Sequence, residues 1–372
     1  MSLLSYPNAW GENGVTDDSV LIGVQGQGGS FSGDEENFGM ELAIKLINDQ
    51  GGIHGRKLQA LGYPGNIDPV IHAKRLTEED KVFCIFNHGG SPAALALAPY
   101  AMDKKIPYLF PHEGILTKKD WRYVFTSFPR YEDEIEIMYS YLVETRGAKR
   151  MAVIYADNDY GRLFRDRLEE KAKALGYAVA GARPVKEMNP ASLVAEVQAL
   201  KEGTPEALVM AIYPPQAKKV LEAKASLDWK GVLMVSAGPL TDEGYLNVPG
   251  GYAEGTIGLC YYPDPNASKE PGVTAYREAM QKYYPGKPLN RYSLYGYVFG
   301  NLIAEGLKKA GRDLTRERFI DVMESIKNWE SGGIMPPVSF SKKDHHAQKA
   351  GFIAELRGGK FVATSDWLSL SR

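Results

Sequence analysis

The sequence predicts an α/β protein of two lobes, each built on a parallel sheet, and three observations carry that prediction. The chain has 372 residues, more than one typical domain of roughly 100–200 residues. Short apolar, β-branched runs alternate with longer segments of helical period over most of its length, the order of a parallel sheet covered by helices. Two extended pieces, one ending at Pro129 and one at Pro263 and Pro265, break that rhythm and are expected to cross between the lobes.

The first strand is VLIGVQ, Val20–Gln25. In the segment ENFGMELAIKLINDQ that follows, Phe38, Leu42, Ala43, Leu46 and Ile47 share one helical face. Gly51 and Gly52 supply the left-handed backbone that stops this helix, and residues 53–57 turn the chain into a strand from Leu58 to Tyr63. Strand KVFCIF (Lys81–Phe86), helix SPAALALAPYAMDKK and strand PYLF (Pro107–Phe110) continue the first lobe. In the second lobe RMAVIYA, EALVMAI and GVLMVS read as strands, with YGRLFRDRLEEKAKALG and PQAKKVLEAKASL as helices between them. YSLYGYVFGNLIAEGLKKAG and TRERFIDVMESI then return to the first lobe. VSFSKKDHHAQKAGFIAELRGGKFVA reads as a third crossing followed by a terminal hairpin. The expected divisions are a leader or extension over 1–18, first lobe 19–129, second lobe 130–257, first lobe again 258–340, and second lobe 341–372.

Composition excludes several classes of partner. A formal net charge of -2 leaves no electrostatic footprint for nucleic acid or an anionic membrane surface. No run of apolar residues is long enough to span a bilayer as a helix. Cys84 and Cys260 are the two cysteines; both lie in apolar runs and are expected to be free buried thiols. The first twenty residues lack the basic and apolar regions of a signal peptide. The protein is therefore either cytoplasmic, or a secreted one whose signal is absent and whose Met1-Ser2-Leu3 is an added leader.

The candidate chemistry gathers at strand ends. QGQGGSFSG follows the first strand, but it lacks the Gly-Lys-Ser/Thr of a phosphate loop, and Phe31 breaks the dinucleotide pattern G-x-G-x-x-G. Ser32 and Glu35 have capping-box spacing, and Phe31 is counted among the ligand-binding candidates at this edge. After the next strand, Gly89-Gly90-Ser91-Pro92-Ala93 has the place of a hydrolase nucleophile elbow. Pro92, however, has no N–H to give an oxyanion. Ser91 as N-cap and Pro92 as first helical residue is the better account, and that helix start suits a carboxylate. His112 and Glu113 follow the strand PYLF. Tyr160 and Tyr213 follow strands of the second lobe, each offering an apolar face and a hydroxyl, and SAGPLTDEG adds a third loop at that edge. His345 and His346 read as a solvated loop rather than a metal pair, and no zinc spacing occurs.

The order FSG, GMELAIKLINDQGGIHGRKLQAL, NIDPVIHAKRLTEEDKVFCIFNHGGSPAALALAPYAMDKKIPYLFP, VFTSFPRYEDE, MAVIYADNDYGRLFRDRLEEKAKALGY and GYVFGNLIAEGLKKAGRDLTRERFIDVME covers most of the chain. It resembles the periplasmic solute-binding proteins of ABC transporters, of the branched-chain amino-acid (Leu/Ile/Val) receptor type. The resemblance implies the type I periplasmic-binding-protein fold, with two Rossmann-like lobes joined by three crossover strands. It implies a monomer outside the cytoplasm, with its signal peptide removed, that uses no cofactor or metal, closes on a small solute and serves a membrane permease. By position, Gly90 and Ser91 match the carboxylate-binding segment, and His112, Glu113 and Gly114 the segment beside it. Tyr160 and Tyr213 match cleft tyrosines, and Gly238, Pro239 and Leu240 the loop that often supplies an acidic residue to an ammonium group. Gly114 and Leu240 depart from the residues usual there, although Asp242 and Glu243 follow Leu240 closely. An uncompensated ammonium is costly to bury, so either Glu113 holds a cationic or amide group, or the ligand is an aromatic or other organic acid. A sensing module or regulator of the same fold, and a hydrolase using Ser91, are the competing expectations.

Overall fold

The β-branched, apolar runs of the sequence become short parallel strands with helices packed on both faces. The computed structural model describes residues 11–24, 31–65, 67–86, 90–116, 121–186, 189–236, 240–241 and 249–369. The first lobe opens with β1 (Ser19–Val24), α1 (Phe31–Asp49), β2 (Lys57–Leu61), α2 (Pro69–Lys74), β3 (Cys84–Phe86), α3 (Ser91–Lys104), β4 (Tyr108–Leu109) and β5 (Val124–Phe125). Its five strands run parallel in the order β2-β1-β3-β4-β5. Gly51 and Gly52 take positive φ angles of 102° and 79° where α1 ends. Residues 11–18 pack onto this lobe: Glu12 accepts from the Arg316 backbone N–H at 2.9 Å, and Gly14 O accepts from Leu21 N.

The second lobe contains α4 (Tyr131–Ser140), β6 (Arg150–Ala156), α5 (Asp159–Leu175), β7 (Ala178–Val185), α6 (Pro190–Glu202), β8 (Ala207–Ala211), α7 (Pro214–Ser226), β9 (Leu233–Ser236) and β10 (Ile257–Cys260). Strands β6 to β10 are mutually parallel, in the order β7-β6-β8-β9-β10. Because β10 pairs with β9, the chain leaves the second sheet after Cys260, a few residues beyond the boundary expected at 257. Helices α8 (Pro271–Tyr283), α9 (Arg291–Ala310) and α10 (Arg316–Ser325) return to the first lobe. The terminal strands β11 (Ala350–Arg357), β12 (Lys360–Ala363) and β13 (Leu368–Ser369) then extend the second sheet in antiparallel fashion. Gly358 and Gly359, both at positive φ, make the tight hairpin turn between β11 and β12.

Three strand-like crossings lie together between the lobes. Thr126 N donates to His345 O, and Ala347 N and Gln348 N donate back to Thr126 O and Ser127 O. The Gln348 side chain donates to Tyr261 O at 2.8 Å, tying in the third crossing. His345 and His346 belong to this layer. His345 stacks on Phe125 at 4.0 Å, its Nδ1 lies 3.0 Å from Val124 O, and His346 Nε2 lies 3.1 Å from Leu116 O. The expectation of a solvated loop is corrected: packing against the crossing strands takes both imidazoles out of water. Cys84 and Cys260 are buried thiols in different sheets, not bonded to one another.

In each parallel sheet the strand order reverses once, between β1 and β3 in the first and between β6 and β8 in the second. Such reversals leave a crevice at the carboxyl ends of the strands, where ligands of open α/β sheets bind.

Candidate functional site

The carboxyl ends of the two sheets face one another across a cavity of about 360 Å³. The first turns of α1 contribute Phe31, Ser32, Gly33 and Glu36; the start of α3 contributes Gly90, Ser91 and Pro92. His112 enters from the segment after β4 and Tyr292 from the first turn of α9. Opposite them stand Tyr131 at the start of α4, and Tyr213, Pro214 and Pro215 at the start of α7.

Gly90, not Ser91, is the N-cap of α3, so Ser91 and Pro92 are its first two helical residues. The expected cap shifts by one because Gly90 is the last extended residue, with φ -84° and ψ -165°. A Cβ built at Gly90 would lie 4.0 Å from Tyr213 Cε1, an ordinary contact distance, so the second lobe reaches the start of α3. Ser91 is buried and lines the cavity, as Tyr131 does. The first N–H groups of α3 have no partner within the helix and carry the positive end of its dipole.

His112, Glu113 and Gly114 are consecutive yet diverge. The His112 ring faces the cavity among Phe128, Tyr295 and Tyr292, with centroids at 4.2, 5.1 and 5.6 Å, and its Nδ1 pairs with Glu36 Oε1. Glu113 is fully buried away from the cavity, and Oε2 accepts from Ile115 N at 2.5 Å and Leu116 N at 2.9 Å. Burial pushes its carboxyl up to about 8 in spite of those donors. The expectation that Glu113 meets a ligand is therefore corrected: it fastens its own loop. Gly114 also stays outside the cavity. Its carbonyl accepts from Tyr131 N, and a Cβ there would stand 2.3 Å from Pro129 O and 2.9 Å from the Tyr131 ring, which leaves no room for threonine.

In the second lobe Asn158 caps α5 by accepting from Gly161 N at 3.2 Å, and its Nδ2 donates to the Tyr213 hydroxyl at 3.1 Å. With its oxygen occupied by that donor, Tyr213 retains its own proton to give. Tyr160 does not line the cavity. Its ring lies behind Tyr131 and Tyr213, at 5.0 and 5.4 Å, and its buried hydroxyl has no hydrogen-bond partner among the described residues. Burial raises the pKa of Tyr131, Tyr160 and Tyr213, so all three hydroxyls stay neutral. Leu240 is buried in the core of the second lobe rather than at the cavity, because an apolar side chain at that position turns inward. Gly238 and Pro239 lie outside the described residues.

Glu36, Tyr131 and Tyr292 line the cavity without having been singled out in the sequence. Glu36 had a legible signal: it falls on the same helical stripe as Met40 and Ala43, a carboxylate on an apolar face. The expected capping box is corrected too. The helix already begins at Phe31, and Glu35 instead accepts from Lys287 Nζ and Asn290 Nδ2, each at 2.8 Å. Among the described residues no cluster of histidine, cysteine and carboxylate side chains is arranged to hold a metal.

Residues 20–360 match the family model of the periplasmic binding proteins. The chain belongs to that family. Among relatives of this binding protein, Leu/Ile/Val-binding protein homolog 7 of Brucella abortus (strain 2308) is 26% identical over 298 residues, covering 74% of this chain and 73% of that protein. Homolog 8 of Brucella suis biovar 1 (strain 1330) is 25% identical over 316 residues, 79% of this chain and 76% of that one. Solved structures share the fold. A fatty acid ABC transporter substrate-binding protein from Thermomonospora curvata gives a TM-score of 0.84 at 22% identity, with 96% of this chain and 94% of that chain covered. A branched chain amino acid ABC transporter structure from Thermus thermophilus with bound valine gives 0.82 at 16% identity, with 95% and 97% covered. The binding protein therefore has the type I periplasmic-binding fold, and its family places it outside the cytoplasm. No helix among the described residues is long and apolar enough to cross a membrane.

Proposed function

We propose that this protein is a monomeric solute receptor, working outside the cytoplasm, that captures a small amino-acid-like or organic-acid ligand between its lobes and delivers it to the membrane permease of an ABC transporter. The observation that carries the proposal is the cavity lined from both sides at the switch points of both sheets. A ligand held there touches Ser91 and the start of α3 on one side and Tyr131 and Tyr213 on the other. It thereby favours the closed arrangement, since only differential contact shifts such an equilibrium. The names of the relatives, Leu/Ile/Val-binding homologues and a fatty acid receptor, support a ligand with a carboxylate and an apolar body.

The site is built for binding rather than turnover. Ser91 lines the cavity with Tyr131 and His112, but the His112 ring is paired with Glu36, and the residue after Ser91, Pro92, has no N–H for an oxyanion hole. Thermal denaturation in the presence of amino acids, aromatic acids and fatty acids tests the reading: a ligand of the native state raises the melting temperature by mass action. If no small solute shifts the melting temperature, while esters are hydrolysed in a Ser91-dependent way, the reading fails.

A further inference from the structure

The second lobe carries another cavity, of about 290 Å³, far from the interlobe site. Gly231, Val232 and Leu233 line it where β9 begins, Tyr252 and Gly255 just before β10, and Lys224 from the last turn of α7. These are the amino ends of the parallel strands, whereas the interlobe site gathers at their carboxyl ends. A Cβ at Gly231 or at Gly251, both at positive φ, would meet nothing within 4 Å, so bare backbone borders the space and leaves room for a small molecule.

Lys224 sets the chemistry of this cavity. It is the one buried lysine among the described residues, 3% exposed. Its Nζ donates to Tyr252 O at 3.0 Å, which occupies one of its three N–H groups. Loss of hydration lowers its pKa, and no carboxylate stands close enough to raise it again. Lys230 Nζ lies 5.4 Å from the Tyr252 ring, as Lys224 Nζ lies 5.5 Å from it, and Arg146 adds a third cation to the lining. Two carboxylates line the cavity as well. Glu355 Oε2 is 3.7 Å from Arg146 Nη1 and 3.1 Å from Arg357 Nη2, and Glu254 Oε1 accepts from Gly358 N at 2.7 Å. With Asp228, 3.4 Å from Lys230, and Arg357 included, four cations stand against three carboxylates, and the cation left over is the buried one. The carboxyl end of α7 does not cancel it, because the carbonyls of Ala223, Lys224 and Ala225 accept from Leu227 N, Trp229 N and Asp228 N. A buried ammonium with a single neutral acceptor is costly. An anion entering beside it offsets that cost and receives charge-assisted hydrogen bonds.

We propose that this cavity is a second binding site, separate from the receptor cleft, for a small oxyanion held by Lys224 with Arg146 and Lys230 around it. Urea unfolding of the full chain at pH 7 tests this in chloride, phosphate, sulfate and acetate buffers of equal ionic strength, with isothermal titration of the same salts. The expected result is that at least one oxyanion raises the unfolding midpoint above its value in chloride, by mass action, and that Lys224→Met loses at least tenfold in affinity for it. A response to acetate alone assigns a carboxylate, and a response to phosphate or sulfate a tetrahedral anion. No rise with any of the three overturns the proposal. An equal rise in the natural chain and in Lys224→Met also overturns it, by placing the anion elsewhere, as at the start of α3. Should the variant fail to fold, the natural chain decides. An anion favours the ammonium over the amine, so in NMR of isotopically dimethylated lysines the buried resonance, titrating near 8 in chloride, should move to higher pH in the oxyanion. A move of at least one pH unit is expected, equivalent to about tenfold tighter binding beside the ammonium. A titration that does not move overturns the site.

Discussion

Gly296 of α9 lies so close to Glu36 of α1 that a Cβ at 296 would stand 1.9 Å from the Glu36 carbonyl oxygen. The approach is reciprocal, since a Cβ at Gly39 would stand 2.0 Å from Ser293 O. The two helices that carry Glu36, Phe31 and Tyr292 to the cavity are thus held backbone to backbone. Gly296→Ala gains helix propensity but forces the helices apart, and a net destabilisation of about 1–3 kcal/mol is expected. Urea unfolding measures the stability, and titration of the same variant should show weaker ligand binding. Loss of stability with unchanged affinity would mean that the crossing does not position the site.

Ser91→Ala removes a hydroxyl from the first turn of α3 without touching the N-cap, which is Gly90. Ligand affinity is expected to fall by about 1–3 kcal/mol if that hydroxyl meets a charged group, with little change in unfolding midpoint. Unchanged affinity in calorimetry would confine Ser91 to starting α3.

Tyr160→Phe deletes a buried hydroxyl that has no hydrogen-bond partner among the described residues. Removing an unsatisfied buried polar group is expected to stabilise the ligand-free protein by about 1–2 kcal/mol, and affinity should change little because Tyr160 lies behind the cavity wall. A large loss of affinity would show that its hydroxyl reaches the ligand when the lobes close.

Ser91 and Tyr213 were legible because a strand end in a parallel sheet fixes which edge a following residue occupies, and β3 and β8 read plainly as buried strands. Edge and direction are different facts, however. His112 and Glu113 share one loop, yet the first faces the cavity and the second is buried against its own backbone N–H groups, which residue order alone does not reveal. Tyr292 was missed for another reason. It reaches the site through the α1–α9 crossing, a contact between segments far apart in the chain, whose trace in the sequence is only the small residues Gly39, Gly296 and Gly300. Two of the crossings were visible as breaks in the β-α rhythm and the third as the segment before the terminal hairpin, but the stacking of His345 on Phe125 depends on how they pair.

Glu113 gives a pH signature. Its pKa rises to about 8 in the folded chain from 4.5, so between those values the native state binds more protons than the unfolded state. Its contribution to stability is fully present below the unfolded value and is lost as pH rises through about 8, with a limiting slope of about 1.4 kcal/mol per pH unit. Glu113→Gln keeps an acceptor for Ile115 N and Leu116 N but cannot ionise. Urea midpoints between pH 5 and 8.5 should therefore decline more steeply for the natural chain than for the variant. Parallel curves would mean that Glu113 is ionised throughout.

Lys224 is the opposite case, a base held down by burial. Its Nζ donates to Tyr252 O at 3.0 Å and lies 5.5 Å from the Tyr252 ring, and loss of hydration lowers its pKa to about 8 from 10.5. Between those values the unfolded chain binds more protons, so stability rises as pH climbs from about 8 to 10.5 and the ammonium is a burden at neutral pH. Lys224→Met keeps the linear stem and removes the charge. A stabilisation of about 1–2 kcal/mol at pH 7 is expected, below the full pKa shift because the pocket of about 290 Å³ beside Lys224 admits solvent. The gain should shrink by pH 9.5 in urea titrations. A destabilised variant at pH 7 would show that the bond to the Tyr252 carbonyl and the contact with its ring outweigh desolvation.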